Sequence, residues 1–169
     1  MKLRQLLKSK KHRQIWTKSL SNEYGRLAQG NDRVDGTDTI FFIHYHEMPK
    51  DRRATYANFV VDIRPEKEEK HRVRLTVGGN LVEYPGNVST DTTDITTAKI
   101  LFNSILSTPK ARFLGIDIKN FYLNNDMTRY EYMKIPLDLI PEDIMVKYNI
   151  KEKGHNGYVY VEILSLIHI

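Results

Sequence analysis

Asn58-Phe-Val-Val-Asp-Ile63, then Pro65-Glu-Lys-Glu-Glu-Lys70, then His71-Arg-Val-Arg-Leu-Thr-Val77 is the stretch on which the fold turns. Phe59, Val61 and Ile63 share one side of the first run. Val73, Leu75 and Val77 share one side of the second, with Arg72, Arg74 and Thr76 on the other. Alternation with period two is the mark of a half-buried strand. The charged segment between the runs reads as a turn, so the pair reads as a hairpin, ended by Gly78-Gly79-Asn80.

Upstream, Trp16, Leu20, Tyr24 and Leu27 recur at spacings of four, four and three, which puts them on one face of a helix over 14–29. Gly30 is a natural stop for it. Thr39–Tyr45 is β-branched and aromatic and reads as a strand; Pro49 and Lys50–Arg53 make a loop. Downstream, Ile95, Ala98, Leu101, Phe102 and Ile105 form the stripe of an amphipathic helix over 94–107. Thr93 or Asp94 is its N-cap, and Pro109 stands beyond its end. Ala111–Ile116 reads as a buried strand running into Asp117, and Asn120–Leu123 as a short helical turn. Tyr130–Ile135 is a strand stopped by Pro136, Pro141–Tyr148 a short helix, His155-Asn156-Gly157 a turn and Tyr158–Ile163 a last strand. Strands and helices mix without a regular βαβ repeat, so the fold class is α+β.

Bulk properties narrow the function. The 169 residues amount to one domain, or one and a part, and 40% of them are hydrophobic, enough for a core. The lack of cysteine excludes disulfides, thiolate zinc sites and cysteine nucleophiles. No apolar run approaches the ~20 residues a membrane helix needs. The basic N-terminus also lacks the apolar centre of a secretory signal. An intracellular protein, cytoplasmic or nuclear and with no membrane partner, is the expectation. The net charge is +5, and residues 1–15 hold Lys2, Arg4, Lys8, Lys10, Lys11 and Arg13 without an acid. Such a stretch either attracts phosphate backbones or is simply a solvated helix.

Three groupings carry possible chemistry. Asp117 stands at the end of an apolar strand, with Tyr122 five residues on. Two-metal phosphoryl transfer needs carboxylates fixed at such a strand end, although an aspartate capping the turn after a buried strand is the commoner meaning. Arg72 and Arg74, at i and i+2, form a fork suited to phosphate oxygens. The alternative is a solvated face paired with Glu66, Glu68 or Glu69. His44 and His46 have no third metal ligand nearby and read as a surface or half-buried pair. Phosphate-binding glycine loops, zinc-protease and serine-nucleophile signatures are absent from the sequence.

Taken in order, several segments form a recognisable series. Trp16 with Glu23 and Leu27 comes first, then Gly36-Thr37 and the hairpin with Arg72-Val-Arg-Leu-Thr-Val-Gly-Gly79. Ile116-Asp-Ile-Lys-Asn-Phe-Tyr-Leu123, Glu131-Tyr-Met-Lys-Ile-Pro136 and Gly157-Tyr-Val-Tyr-Val-Glu-Ile163 follow. The series resembles the start of the reverse transcriptase of copia-type retrotransposons, over residues 14 to 163. The resemblance implies the fingers and part of the palm, an antiparallel sheet with packed helices. It makes Asp117 the first catalytic aspartate and, with the carbonyl of Ile118, a ligand of two Mg2+ ions. It assigns Asn120 and Phe121 to the turn that meets the incoming triphosphate, Tyr122 to the steric gate, and Arg72 and Arg74 to the grip on the triphosphate. The implied partners are an RNA template, a DNA primer, deoxynucleoside triphosphates and the rest of a retrotransposon polyprotein.

The departures set the functional expectation. The family has a later Y-x-D-D turn, and no Asp-Asp pair occurs in this sequence. A lone aspartate cannot hold two ions, so the piece itself is expected to be inactive. The alternative is a non-enzymatic nucleic-acid-binding module from a decayed or repurposed element. Residues 1–13 read as a basic N-terminal segment, 14–163 as the truncated fingers and palm, and 164–169 as a non-native tail.

Overall fold

The computed structural model describes residues 2–82, 93–116, 123 and 126–165. They fall into a larger unit, Met1–Val82 with Asn120–Ile169, and a smaller one, Glu83–Lys119. The larger unit carries one sheet built from β1 (Ile40–Ile43), β2 (Thr55–Ile63), β3 (His71–Val77), β4 (Asp126–Pro136) and β5 (Tyr158–Ser165). Their spatial order is β1-β5-β4-β2-β3. The helices are α1 (Leu3–Lys8), α2 (Arg13–Leu27), α3 (Ile95–Ser107), α4 (Glu142–Lys147) and α5 (Ile150–Lys153); α3 belongs to the smaller unit. The class is α+β, as the mixed patterning implies.

The expected hairpin forms, and its strands are antiparallel. Val61 faces Val73, Phe59 faces Leu75 and Ala57 faces Val77, and the Arg64 amide donates to the Lys70 carbonyl at 2.7 Å across the turn. Alternation puts Val73, Leu75 and Val77 in the core, while Arg74 is exposed. β2 starts at Thr55, earlier than its alternation indicates, because Thr55 and Tyr56 pair in parallel with Met133 and Lys134 of β4. That junction corrects the expectation of an antiparallel sheet: β1–β5, β5–β4 and β2–β3 are antiparallel, and β2–β4 is parallel. A parallel pair joins strands far apart in sequence and leaves no turn signal between them.

The core of the larger unit lies between the inner face of its sheet and its own helices. α2 contributes Trp16, Leu20, Tyr24 and Leu27, the face its spacing predicts. Ile40 and Phe42, Met133 and Ile135, and Val159, Val161 and Ile163 supply the sheet side. The basic stretch at the N-terminus folds in part as α1, which buries Leu3 and Leu6 in this core and leaves Arg4 exposed. The strand expected over Thr39–Tyr45 stops at Ile43, and Tyr45–Glu47 is a 3-10 turn. The Asn156-Gly157 turn is tight, with both residues at positive φ (50° and 80°), and His155 and Tyr158 exchange backbone bonds of 2.7 and 3.0 Å across it. β5 runs on through Leu164 and Ser165, beyond the expected end at Ile163. The Leu164 amide bonds the Thr39 carbonyl at 2.9 Å and the Ser165 hydroxyl the Leu123 carbonyl at 2.7 Å.

In the smaller unit Asp94 is the N-cap, its carboxylate accepting from the Thr96 and Thr97 amides at 2.7 and 3.0 Å. In the stripe of α3, Ile95, Leu101 and Phe102 are 71%, 49% and 51% exposed, and Ala98 and Ile105 are half-buried. Ala111–Ile116 is not a buried strand: it has no regular structure, and Leu114 and Ile116 are 78% and 75% exposed. A strand exists only when a neighbour takes its amides and carbonyls. Among the described residues this run has no ladder partner, and Phe113 packs against Phe102 of α3, ring centroids 5.3 Å apart.

Candidate functional site

β3 lies at one edge of the sheet, so one row of its amides and carbonyls has no neighbouring strand. α2 fills that row with side chains. Ser19 donates its hydroxyl to the His71 carbonyl at 2.9 Å and accepts from the Val73 amide at 2.8 Å. One helical turn on, Glu23 Oε1 accepts from the Leu75 amide at 3.0 Å. Trp16, a turn earlier, sets its ring edge against His71, centroids 5.3 Å apart. Residues 16, 19 and 23 lie on one helix face, and the backbone period of β3 matches their rise, so helix and strand edge zip together.

Glu23 is only 3% exposed. Its second oxygen binds Arg26 at 2.7 Å and Arg72 at 3.1 Å. Glu69, from the hairpin turn, binds Arg72 at 2.8 Å, Arg26 at 3.2 Å and Arg64 at 3.5 Å. Two carboxylates thus hold three guanidinium groups. Burial would raise the Glu69 carboxyl; the hydrogen bond from Arg72 and the charges of Arg26 and Arg72 outweigh it and hold the group below its ordinary value of 4.5.

The expected arginine fork is therefore split. Arg72 is half-buried and committed to Glu23 and Glu69. Among the described residues the carboxylate within salt-bridge distance of Arg74 is that of Asp62, at 3.9 Å with both side chains over 40% exposed, a contact that water screens. Of the acids offered by the turn, Glu69 is the partner, and Glu23 is a second one that charge patterning alone did not assign. The available signal was an acid set within the apolar face of Trp16, Leu20, Tyr24 and Leu27.

Asp117, Ile118, Asn120, Phe121 and Tyr122 lie outside the described residues. Arg72 and Arg74 are thus the members of the sequence-derived site whose surroundings are visible. Among the described residues no group of three His, Asp or Glu side chains is arranged to hold a metal ion, and His44 and His46 stack on each other at 5.3 Å. No helix of the described residues is long and apolar enough to cross a membrane.

The pairing at Glu69 sets a pH dependence. Its carboxyl titrates lower in the fold than its ordinary value, so the pairing stabilises the fold above that value. The contribution disappears as pH falls through the lower, folded value. Asp143 is also held low: burial raises it, and Ser21 and Arg33 more than reverse this. Urea titrations from neutral pH into the acid range are expected to show Glu69→Gln less stable near neutrality, with the gap closing on acidification. A gap independent of pH would mean that Glu69 does not titrate as placed.

Searches against protein-family models, curated proteins and solved structures returned no match.

Proposed function

We propose that the chain is the fingers and part of the palm of an RNA-directed DNA polymerase from a copia-type transposable element. The observation that carries this reading is the ordered series of segments from Trp16 to Ile163. Support comes from the packing of its first members: the Trp16 helix lies along the strand bearing Arg72 and Arg74, as one continuous body. In this reading Arg74 is the cation that meets the triphosphate, and Arg72 holds the hairpin to α2. Asp117 with the Ile118 carbonyl would bind Mg2+ and Tyr122 would act as the steric gate. A two-ion centre needs further carboxylates, and this sequence has no Asp-Asp pair to supply them, so no reaction step is assigned to the 169 residues themselves.

The test is the reading frame that follows Ile163. It is expected to encode a K-G-M-Y-G-L stretch and then a Y-x-D-D turn within about one further domain, ~100 residues. The protein so extended should copy an RNA template with Mg2+ and deoxynucleotides, and Asp117→Asn should abolish this. A stop codon at that point in a transcribed gene overturns the reading.

That outcome would favour a non-enzymatic nucleic-acid-binding module. One observation leans that way. A shallow groove is bordered by Lys10, Arg13, Lys18 and Arg33, and its one acid, Asp143, is already paired with Arg33 at 2.8 Å. Such a surface suits a phosphate backbone without any catalytic centre.

A further inference from the structure

The outer face of the sheet, opposite the core, carries rings where a solvated face ordinarily carries short polar groups. Register fixes their arrangement. Ile43 faces Tyr160, Tyr160 faces Lys134, and Lys134 faces Tyr56, so one row crosses four strands. Beside it, Tyr158 faces Pro136, and the Lys134 ammonium stands over the Tyr158 ring, 5.2 Å from its centroid. At the end of the row Tyr45, from the turn after β1, lies parallel to His155, with centroids 4.3 Å apart and planes 2° apart. Tyr160 leans against Tyr45 at 5.0 Å. Tyr45 and Tyr56 are each 45% exposed, and His155 is exposed too.

Glu162, which register places on this face beside the row, already has a partner: it accepts the Tyr132 hydroxyl at 2.9 Å. That hydrogen bond, after burial, pushes the Tyr132 hydroxyl up to about 12, so Tyr132 remains a neutral donor. Lys134 has no carboxylate within salt-bridge distance among the described residues. The face thus offers stacked rings, a central ammonium and an imidazole, His155, at the rim. A duplex would hide its base faces from the rings. Unpaired bases fit: each has a π face for a tyrosine, and the linking phosphates suit the cation.

We propose that this outer sheet face, centred on Tyr45, His155, Tyr160 and Lys134, is a stacking platform for single-stranded nucleic acid. It uses none of Asp117, Arg72 or Arg74, so it stands or falls apart from the polymerase reading. The Tyr45–His155 stack accepts a base as its third layer, and Lys134 meets the phosphate that follows.

The test is binding of the full chain to a fluorescent single-stranded oligouridine at low salt, followed by anisotropy. Tyr45→Ala is expected to weaken binding on the order of tenfold, the loss of one base–aromatic stack. Tyr45→Phe, which keeps the ring, should bind like the parent, and a duplex of equal length should bind less tightly than the single strand. Tyr45→Trp reports position directly: its fluorescence should be quenched when oligouridine is added. Unchanged affinity in Tyr45→Ala, equal binding of duplex and single strand, or no quenching in Tyr45→Trp overturns the proposal. If Tyr45→Ala proves unfolded, the tryptophan quenching decides alone. None of these results bears on the reading frame beyond Ile163.

Discussion

Glu23→Ala is expected to lower the stability of the protein by about 3–5 kcal/mol, the usual cost of removing one partner from a buried ion pair. The side chain is 3% exposed and meets three donors: the Leu75 amide at 3.0 Å, Arg26 at 2.7 Å and Arg72 at 3.1 Å. Without it, three guanidinium groups share the single carboxylate of Glu69, and the Leu75 amide is left unpaired at a covered edge. Glu23→Gln keeps an acceptor for that amide and loses the charge, so a smaller loss, about 1–3 kcal/mol, is expected. Urea denaturation of the two variants checks both the size and the order. A loss under ~1 kcal/mol for Glu23→Ala would mean that water replaces the carboxylate and that the edge is not sealed as described.

Gly36→Ala is expected to be comparably severe for a different reason. A Cβ there would lie 2.3 Å from the Ala28 carbonyl oxygen, 2.4 Å from the Gly30 nitrogen and 2.5 Å from the Gln29 carbonyl carbon. All three are backbone, so no rotamer change relieves the clash. The loop is also tied where it returns to α2: the Thr37 amide bonds the Arg26 and Ala28 carbonyls at 2.9 and 3.1 Å. Overpacking without room to yield costs about 3 kcal/mol or more. Gly157→Ala is the matched control. It has a positive φ of 80° but nothing within 4 Å of the added methyl, so backbone strain of about 1–2 kcal/mol is the whole cost. Thermal melts that rank the two substitutions equally would refute the close approach at Gly36.

What could be read from residues alone follows from the range of the forces involved. The hairpin was legible because alternation and a charged turn are both local, and β3 in the structure spans His71–Val77, the run alternation marks out. α2 was legible for the same reason, its stripe of Trp16, Leu20, Tyr24 and Leu27 being its buried face. Asp94, offered together with Thr93 as a cap, proves to be the one whose carboxylate takes the helix amides. The parallel contact of Thr55–Tyr56 with Met133–Lys134 was not legible, since nothing near either segment encodes the other. Ala111–Ile116 misled because apolar character signals burial only when a partner is present. At the candidate site, i and i+2 spacing places Arg72 and Arg74 on one strand face. It cannot tell that Glu23, some fifty residues away in sequence, claims one of them.

The sheet order has a consequence in time. β5 lies between β1 and β4, so Ile40 finds its strand partner only at Ile163 and Met133 finds one at Val161. During synthesis the hairpin, α1 and α2 are all available early, being contiguous within the first eighty residues. β4 can meet β2 at Thr55 and Tyr56 as soon as it is made, but β1 has no strand partner until β5 has left the ribosome. Closing so long a loop carries an entropic cost before any contact offsets it. Until then Ile40 and Phe42, fully or nearly buried in the finished fold, stay within reach of other chains. Of the five strands, the one made last is the one that joins β1 to the rest.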